Sequence, residues 1–465
     1  MLTRKLAAFV AGLEYSDLPP ATVEMSRLFL LDGLGCMLAG TRAAHACNTA
    51  QMVRELGGAA QATILPGMTF GSVRDAAFVN GIALYSVGLN DVHVAAESHP
   101  GACVIPAILA LCEWKSLPGR TLMAAMVAGY ELVGRTGRAI LPSHRQRGFH
   151  ATGTCGTFGA AAAAARALGF DAEKTANVLG IAGSQAAGLY ECHHDGTSTM
   201  IYHAGRAAQN GIEAALLVAA GMTGPATVLE GSKGFVRATS DVVFDGAASE
   251  ALLQGLGRHY EIDATSFRPY FGCSSTLAAS AAVASLMRGS GVSFADIDEI
   301  VVQCHPIVAQ DNADTRPETL LAARLSMPFN VALVLQYGDV WPGDLPESEL
   351  SNDTIRAILP KIKLVADQGM SRRGAAVTVR RHDGGIVTET IRDPRGSEGN
   401  PMTWDEVVTK FRRLVADTVS PSGQDAVIDV VQNCEGYNGA EIAAALRMAI
   451  VSGRSGAGGQ SQVNK

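Results

Sequence analysis

The run GTFGAAAAAARALGFDAEKTANVLGIAGSQAAGL, residues 156–189, constrains this chain more than any other stretch. Its alanines and glycines let backbones approach closely, which suits a buried pair of helices. Gly169 is placed to close the first helix and Asp171 to cap the second. Apolar residues recur at helical spacing from Val23 through Met25, Leu28, Leu31 and Leu34 to Leu38, ahead of a possible stop at Gly40. The texture changes after Tyr260, where DEIVVQC and AAVTVRRHDGGIVTETI carry β-branched residues and HDGG signals a hairpin turn. Helical patterning returns from Thr403. The expected architecture is mainly α with a smaller α+β domain: a helical domain of residues 1–266 and 392–465, interrupted by an α+β lid of residues 267–391, and a disordered tail GRSGAGGQSQVNK.

With 48% hydrophobic and 17% charged residues, the chain can bury a large core. Its net charge of −7 supplies no field for nucleic acid or an anionic membrane, so neither is expected as a partner. An anionic substrate would need arginines and histidines gathered locally into a positive pocket. The nine scattered cysteines show no paired metal-ligand spacing and read as reduced thiols. The opening MLTRKLAAFVAGLE reads as an amphipathic helix, and no apolar run reaches the ~20 residues that span a bilayer. A soluble, cytoplasmic protein is expected.

Four polar clusters interrupt the apolar background. NDVHVAAESHPG holds Asn90, Asp91, His93, Glu97 and His99, which can supply a general acid and base or can simply form a helix-capping loop at Pro100. HRQRGFHATGT places His144, Arg145, Arg147 and His150 before a glycine-rich helix start; Arg145 and Arg147 read individually as a solvated basic turn. YECHHDGTSTMIYHAGRAAQNG carries Glu191, His193, His194, Asp195, His203 and Arg206, without the H-x-x-x-H spacing that would favour a metal. SFRPYFGCSS puts Arg268 at the proposed domain junction, where an arginine can clamp a carboxylate or be merely structural.

VNGIALYSVGLNDVHVAAESHPG, RGFHATGTCGTFGAA, DGTSTMIYHAGRAAQNG, FRPYFGC and LSMPFNVA follow in the order of five sequence blocks of the MmgE/PrpD family, which the chain resembles over nearly its whole length. The resemblance implies a helical domain plus an α+β lid, a homodimer, no cofactor, and a site between the two domains; no metal is expected either, since no segment offers first-shell ligand spacing. Known members include 2-methylcitrate dehydratase, cis-aconitate decarboxylase and iminodisuccinate epimerase, which act beside a carboxylate of a small acid. It implies catalytic roles for Asp91, His99 and His150, with His93, Met200, His203, Arg268 and Phe329 around the substrate.

Departures from the family pattern bear on the chemistry. Met200 stands where a lysine is expected, Arg268 replaces a second lysine, Phe329 a tyrosine, Gly88 an acid and Val92 a threonine. Methionine neither transfers a proton nor binds a carboxylate by charge. The leading expectation is a dehydratase acting by proton abstraction next to a carboxylate of a di- or tricarboxylate. A decarboxylase or epimerase of the same family, a non-catalytic member, and a metal-dependent hydrolase built on Glu191 to Asp195 are the alternatives.

Overall fold

Two short punctuation devices fix the central helix pair. Helix Ala151–Ala167 ends before Gly169, whose φ of 66° is the left-handed conformation glycine adopts without strain. Asp171 then caps helix Ala172–Gln185, accepting the Lys174 N–H at 2.8 Å. Every residue of Ala151–Ala167 is buried. Small side chains permit this: a Cβ at Gly156 would lie 2.5 Å from Cys103 Sγ, and one at Gly159 would lie 2.9 Å from the Gly129 carbonyl. The neighbours that close in are helices Pro100–Lys115, Gly119–Ile140 and Thr199–Ala219.

The computed structural model describes residues 1–243, 246–338 and 345–450, without the side chains of His194, 247–249 and 251. The tail predicted to be disordered lies outside them. Helix Leu2–Gly12 forms at the chain start, as its amphipathic pattern implies, and Pro20–Gly40 begins one turn earlier than the apolar spacing indicates because Pro20 can open a helix. Among the described residues two hydrophobic cores form. One joins Leu2 through Phe267 with Met402 through Ala449; the other runs from Phe271 to Val379. Helix Trp404–Val415 packs on Pro20–Gly40, and Gly439–Ala449 on Pro100–Lys115.

The smaller core sits on a four-stranded sheet in the order Ile362–Ala366, Ile297–Cys304, Ala375–Arg381, Ile386–Ile391, with the first pair parallel and the others antiparallel. Ile300 lies opposite both Ile362 and Val379. A register shift between Ile297 and Glu299 breaks the two-residue alternation, so Ile297 and then Ile300, Val302 and Cys304 all face the core. The HDGG turn joins the last two strands, with Gly384 at φ 85°. A small hairpin, Ala62–Ile64 with Thr69–Gly71, had no counterpart in the sequence reading. Among the described residues no helix is long and apolar enough to cross a membrane.

Candidate active site

Three consecutive carbonyls organise the site. The Leu89 carbonyl accepts from Lys410 Nζ at 2.6 Å, the Asn90 carbonyl from Arg268 Nε at 2.7 Å, and the Asp91 carbonyl from His99 Nδ1 at 2.6 Å. Each donor comes from a different part of the chain, so one loop fixes them all. Lys410 is buried and anchored by Asp32, 2.5 Å from Nζ. Arg268 reaches the loop through a two-residue ladder in which Val92 and Ser266 exchange N–H···O bonds of 2.8 Å. Its Nη2 also donates to Asn90 Oδ1 at 2.9 Å, and among the described residues no carboxylate is in ion-pair contact with it.

The geometry fixes one tautomer. A carbonyl oxygen can only accept, so His99 carries its proton on Nδ1 and keeps the Nε2 lone pair. Burial, reinforced by the Arg268 charge, lowers its pKa to about 3 and keeps the ring neutral. His150 precedes Ala151–Ala167 just as His99 precedes Pro100–Lys115, so both stand at helix N-termini, where an anion is favoured. The His99 N–H bonds Thr152 Oγ1 at 3.3 Å, tying the two helix starts together. His150 Nδ1 lies 2.9 Å from His203 Nδ1. Burial, followed by the His203 ring, holds the His150 pKa well below the ordinary imidazole value, and burial alone lowers that of His203.

Asp91 is 3% exposed, and its Oδ2 accepts the Gly101 N–H at 2.9 Å. Burial lifts its pKa to about 6, although the Tyr130 hydroxyl and the Gly101 N–H favour the carboxylate.

His99, His150, Met200 and Arg268 line a cavity of about 670 Å³ bounded by residues of both cores. Among the described residues five arginines reach it: Arg145, Arg268, Arg324, Arg372 and Arg373. Glu97 binds Arg145 at 3.1 Å and Arg372 at 2.7 Å, and Arg145 lies 3.5 Å from Asp311 and 4.6 Å above the Tyr190 ring. Among the described residues arginines thus outnumber the lining acids Glu97, Asp311 and Glu347. This is the locally positive pocket that an anionic substrate requires of an acidic chain.

The other expected site residues occupy different layers. Asp91 lies behind His99, and His203 behind His150 on the wall of an adjoining cavity of about 740 Å³. His93 does not line the cavity of about 670 Å³. It is 1% exposed, with Nε2 2.9 Å from Glu261 and Nδ1 accepting the Ala96 N–H. Phe329, also 1% exposed, fills the smaller core instead. His144 is structural, bonded to Thr154 Oγ1 at 2.8 Å and facing the Thr239 carbonyl, while Arg147 pairs with Asp241 on the surface. Glu191 and Asp195 line the adjoining cavity, and among the described residues no group of three or more His, Cys, Asp or Glu is arranged to hold a metal.

Sequence reading passed over Tyr85, Tyr190, Arg324, Arg372 and Arg373. Tyr85 packs edge-on against His99 with ring centres 5.1 Å apart. Burial raises the Tyr190 pKa to about 12, so its hydroxyl stays protonated. The adjacent arginines of SRRG gave a usable charge signal; the tyrosines sat unmarked among apolar or histidine-rich neighbours.

Comparison with known proteins adds two findings. The MmgE/PrpD N-terminal domain matches residues 4–244, and the MmgE/PrpD C-terminal domain matches residues 270–436. The chain is 26% identical over 445 residues to cis-aconitate decarboxylase-like protein oryM of Aspergillus oryzae, covering 90% of this chain and 91% of the relative. It is 26% identical over 463 residues to cis-aconitate decarboxylase of Aspergillus terreus, covering 92% of each. The same identity extends over 448 residues of cis-aconitate decarboxylase of Homo sapiens, with 93% of this chain and 92% of the relative covered.

Proposed function

The chain belongs to the MmgE/PrpD family, and from that premise we propose that it is a cofactor-independent lyase that abstracts a proton beside a carboxylate of a small di- or tricarboxylate, with dehydration as the net reaction. The observation that carries this reading is the His99 Nδ1 contact with the Asp91 carbonyl, which leaves Nε2 as a neutral base on a cavity wall. His99 takes the proton from the carbon next to the carboxylate. The released electron pair forms the new double bond as the neighbouring C–O bond breaks. His150, its Nδ1 accepting from His203, donates a hydrogen bond from Nε2 to the departing oxygen, which takes up the proton held by His99, so that water leaves and both imidazoles end neutral. Arg268 offsets the charge that gathers on the carboxylate. Asp91 orients His99 through its carbonyl and steadies the imidazolium through its carboxylate.

Residues 267–391 act in this reading as a lid over a helical body of residues 1–266 and 392–465. The two separate cores support that division. A cytoplasmic homodimer completes the reading.

A second outcome, decarboxylation, is favoured by the names of the curated relatives. There the carbon–carbon bond to a carboxylate breaks, carbon dioxide leaves, and the carbon takes up a proton. Product analysis by NMR over a panel of citrate-like and succinate-like acids separates the two. An unsaturated acid that keeps every carboxylate supports dehydration; a product one carboxylate shorter replaces it with decarboxylation; no product and no proton exchange overturns the enzyme reading.

A further inference from the structure

Between Asp91 and His99 the backbone closes on itself. The His93 N–H donates to the Ser98 carbonyl at 2.8 Å, the Ser98 N–H returns a bond of 3.3 Å, and the Glu97 N–H donates to the Val94 carbonyl at 3.1 Å. The His93 ring anchors this loop to Glu261. Glu97 sits near its end with φ 44° and ψ 42°, a left-handed conformation that is unfavourable for a residue with a side chain and is held here by those bonds. The loop thus brings the Glu97 carboxylate to the cavity by its own backbone bonding. There each oxygen takes a different arginine: Oε2 accepts from Arg145 Nη1 at 3.1 Å and Oε1 from Arg372 Nη1 at 2.7 Å. Arg145 belongs to helix Ser143–Gln146 of the helical body, and Arg372 to the turn between strands Ile362–Ala366 and Ala375–Arg381.

We infer that Glu97 is a specificity-determining residue: its carboxylate occupies the two-arginine seat that a further substrate carboxylate would take, so the cavity favours dicarboxylates over tricarboxylates. This rests on the carboxylate reading of the cavity and goes beyond it by naming what limits the charge of the substrate. Two arginines can bind a carboxylate by charge-assisted bonds to both of its oxygens. Glu97 already completes that arrangement from within the chain. A ligand carboxylate brought to the same place would have to displace it and would meet a like charge. Arg145 is also held by Asp311, 3.5 Å away, and by the Tyr190 ring, 4.6 Å beneath it, so the seat is fixed from several sides. Glu97, His99 and Arg268 line one cavity, so the filled seat and the proposed base face the same ligand. Met200 lines that cavity too and adds no charge.

Succinate and tricarballylate differ by one carboxymethyl group, and neither carries a hydroxyl to lose. Calorimetry measures the binding of both to wild type, Glu97→Gln, Glu97→Ala and Glu97→Ala combined with Arg145→Gln and Arg372→Gln, with thermal unfolding to establish that each variant is folded. Vacating the seat should raise the ratio of tricarballylate to succinate affinity about 10- to 100-fold in Glu97→Ala, the worth of a charge-assisted contact. Glutamine removes the charge but still fills the seat, so its ratio should rise less. Loss of both arginines should cancel the gain. Wild type that binds neither acid overturns the carboxylate reading itself. Wild type that binds, with the ratio unchanged in Glu97→Ala because both acids hold or weaken alike, overturns the role of Glu97 alone. A gain that survives loss of both arginines puts the third carboxylate elsewhere and overturns the seat.

Discussion

Replacing Asp91 by asparagine should stabilise the folded protein at neutral pH while slowing its chemistry. Burial raises the Asp91 pKa from 3.8 to about 6, so the folded state holds this proton more tightly than the unfolded chain does. The stability the group contributes is fully present below its ordinary pKa and is lost as pH rises through about 6. At about 1.4 kcal/mol per tenfold change in proton affinity, ionising Asp91 costs about 3 kcal/mol above that range. Asparagine never ionises, yet its Oδ1 still accepts the Gly101 N–H. The stability difference in favour of Asp91→Asn should therefore grow with pH, with about half of it developing between roughly pH 5 and pH 8. Urea unfolding at both pH values measures it. Turnover should fall about tenfold or more, because the charge that steadies protonated His99 is gone. A stability difference that stays flat with pH would refute the reasoning, since it would mean that Asp91 titrates alike in both states.

Lys410→Met should destabilise by about 3–5 kcal/mol because it leaves Asp32 buried and unpaired. Adding Asp32→Leu should recover most of that in urea unfolding while turnover stays low, since Leu89 has still lost its donor; full recovery of turnover would show that the loop does not depend on Lys410. His203→Phe should shift the pH–rate profile and lower kcat more than it changes KM, whereas His203→Asn, which can still donate towards His150, should restore part of the rate; identical profiles in both variants would remove His203 from the relay. Met200→Lys should move preference from less charged or bulkier acids towards tricarboxylates in a kcat/KM comparison. Efficient wild-type turnover of cis-aconitate or 2-methylcitrate would contradict the premise behind it.

Local signals carried much of the fold. Gly169 and Asp171 mark a helix hairpin by backbone chemistry that requires no distant partner, and HDGG does the same for the strand pair Ala375–Arg381 and Ile386–Ile391. Strand Ile362–Ala366 escaped notice because its parallel pairing with Ile297–Cys304 joins residues far apart in sequence. His99, His150 and Arg268 stood out as polar residues amid apolar segments, and they reach one cavity. The layering did not stand out. His93 shares the sequence cluster of His99, yet its ring turns to Glu261, a partner remote in the chain. Lys410 falls in an ordinary amphipathic pattern, and only the fold brings it to Leu89. Arg324 was hidden for a related reason, because only the fold shows that it occupies the space a side chain at Gly88 would need.

The central claim is that His99 removes a proton from carbon beside a carboxylate. The most direct measurement is deuterium incorporation from heavy water into a panel of citrate-like and succinate-like acids, comparing wild type with His99→Asn. Asparagine can still donate to the Asp91 carbonyl but has no basic nitrogen. Wild type should incorporate deuterium next to a carboxylate of at least one acid even without net product, and His99→Asn should do so about 100- to 10,000-fold more slowly. Equal exchange by the two proteins, or none by wild type with any acid, would contradict it.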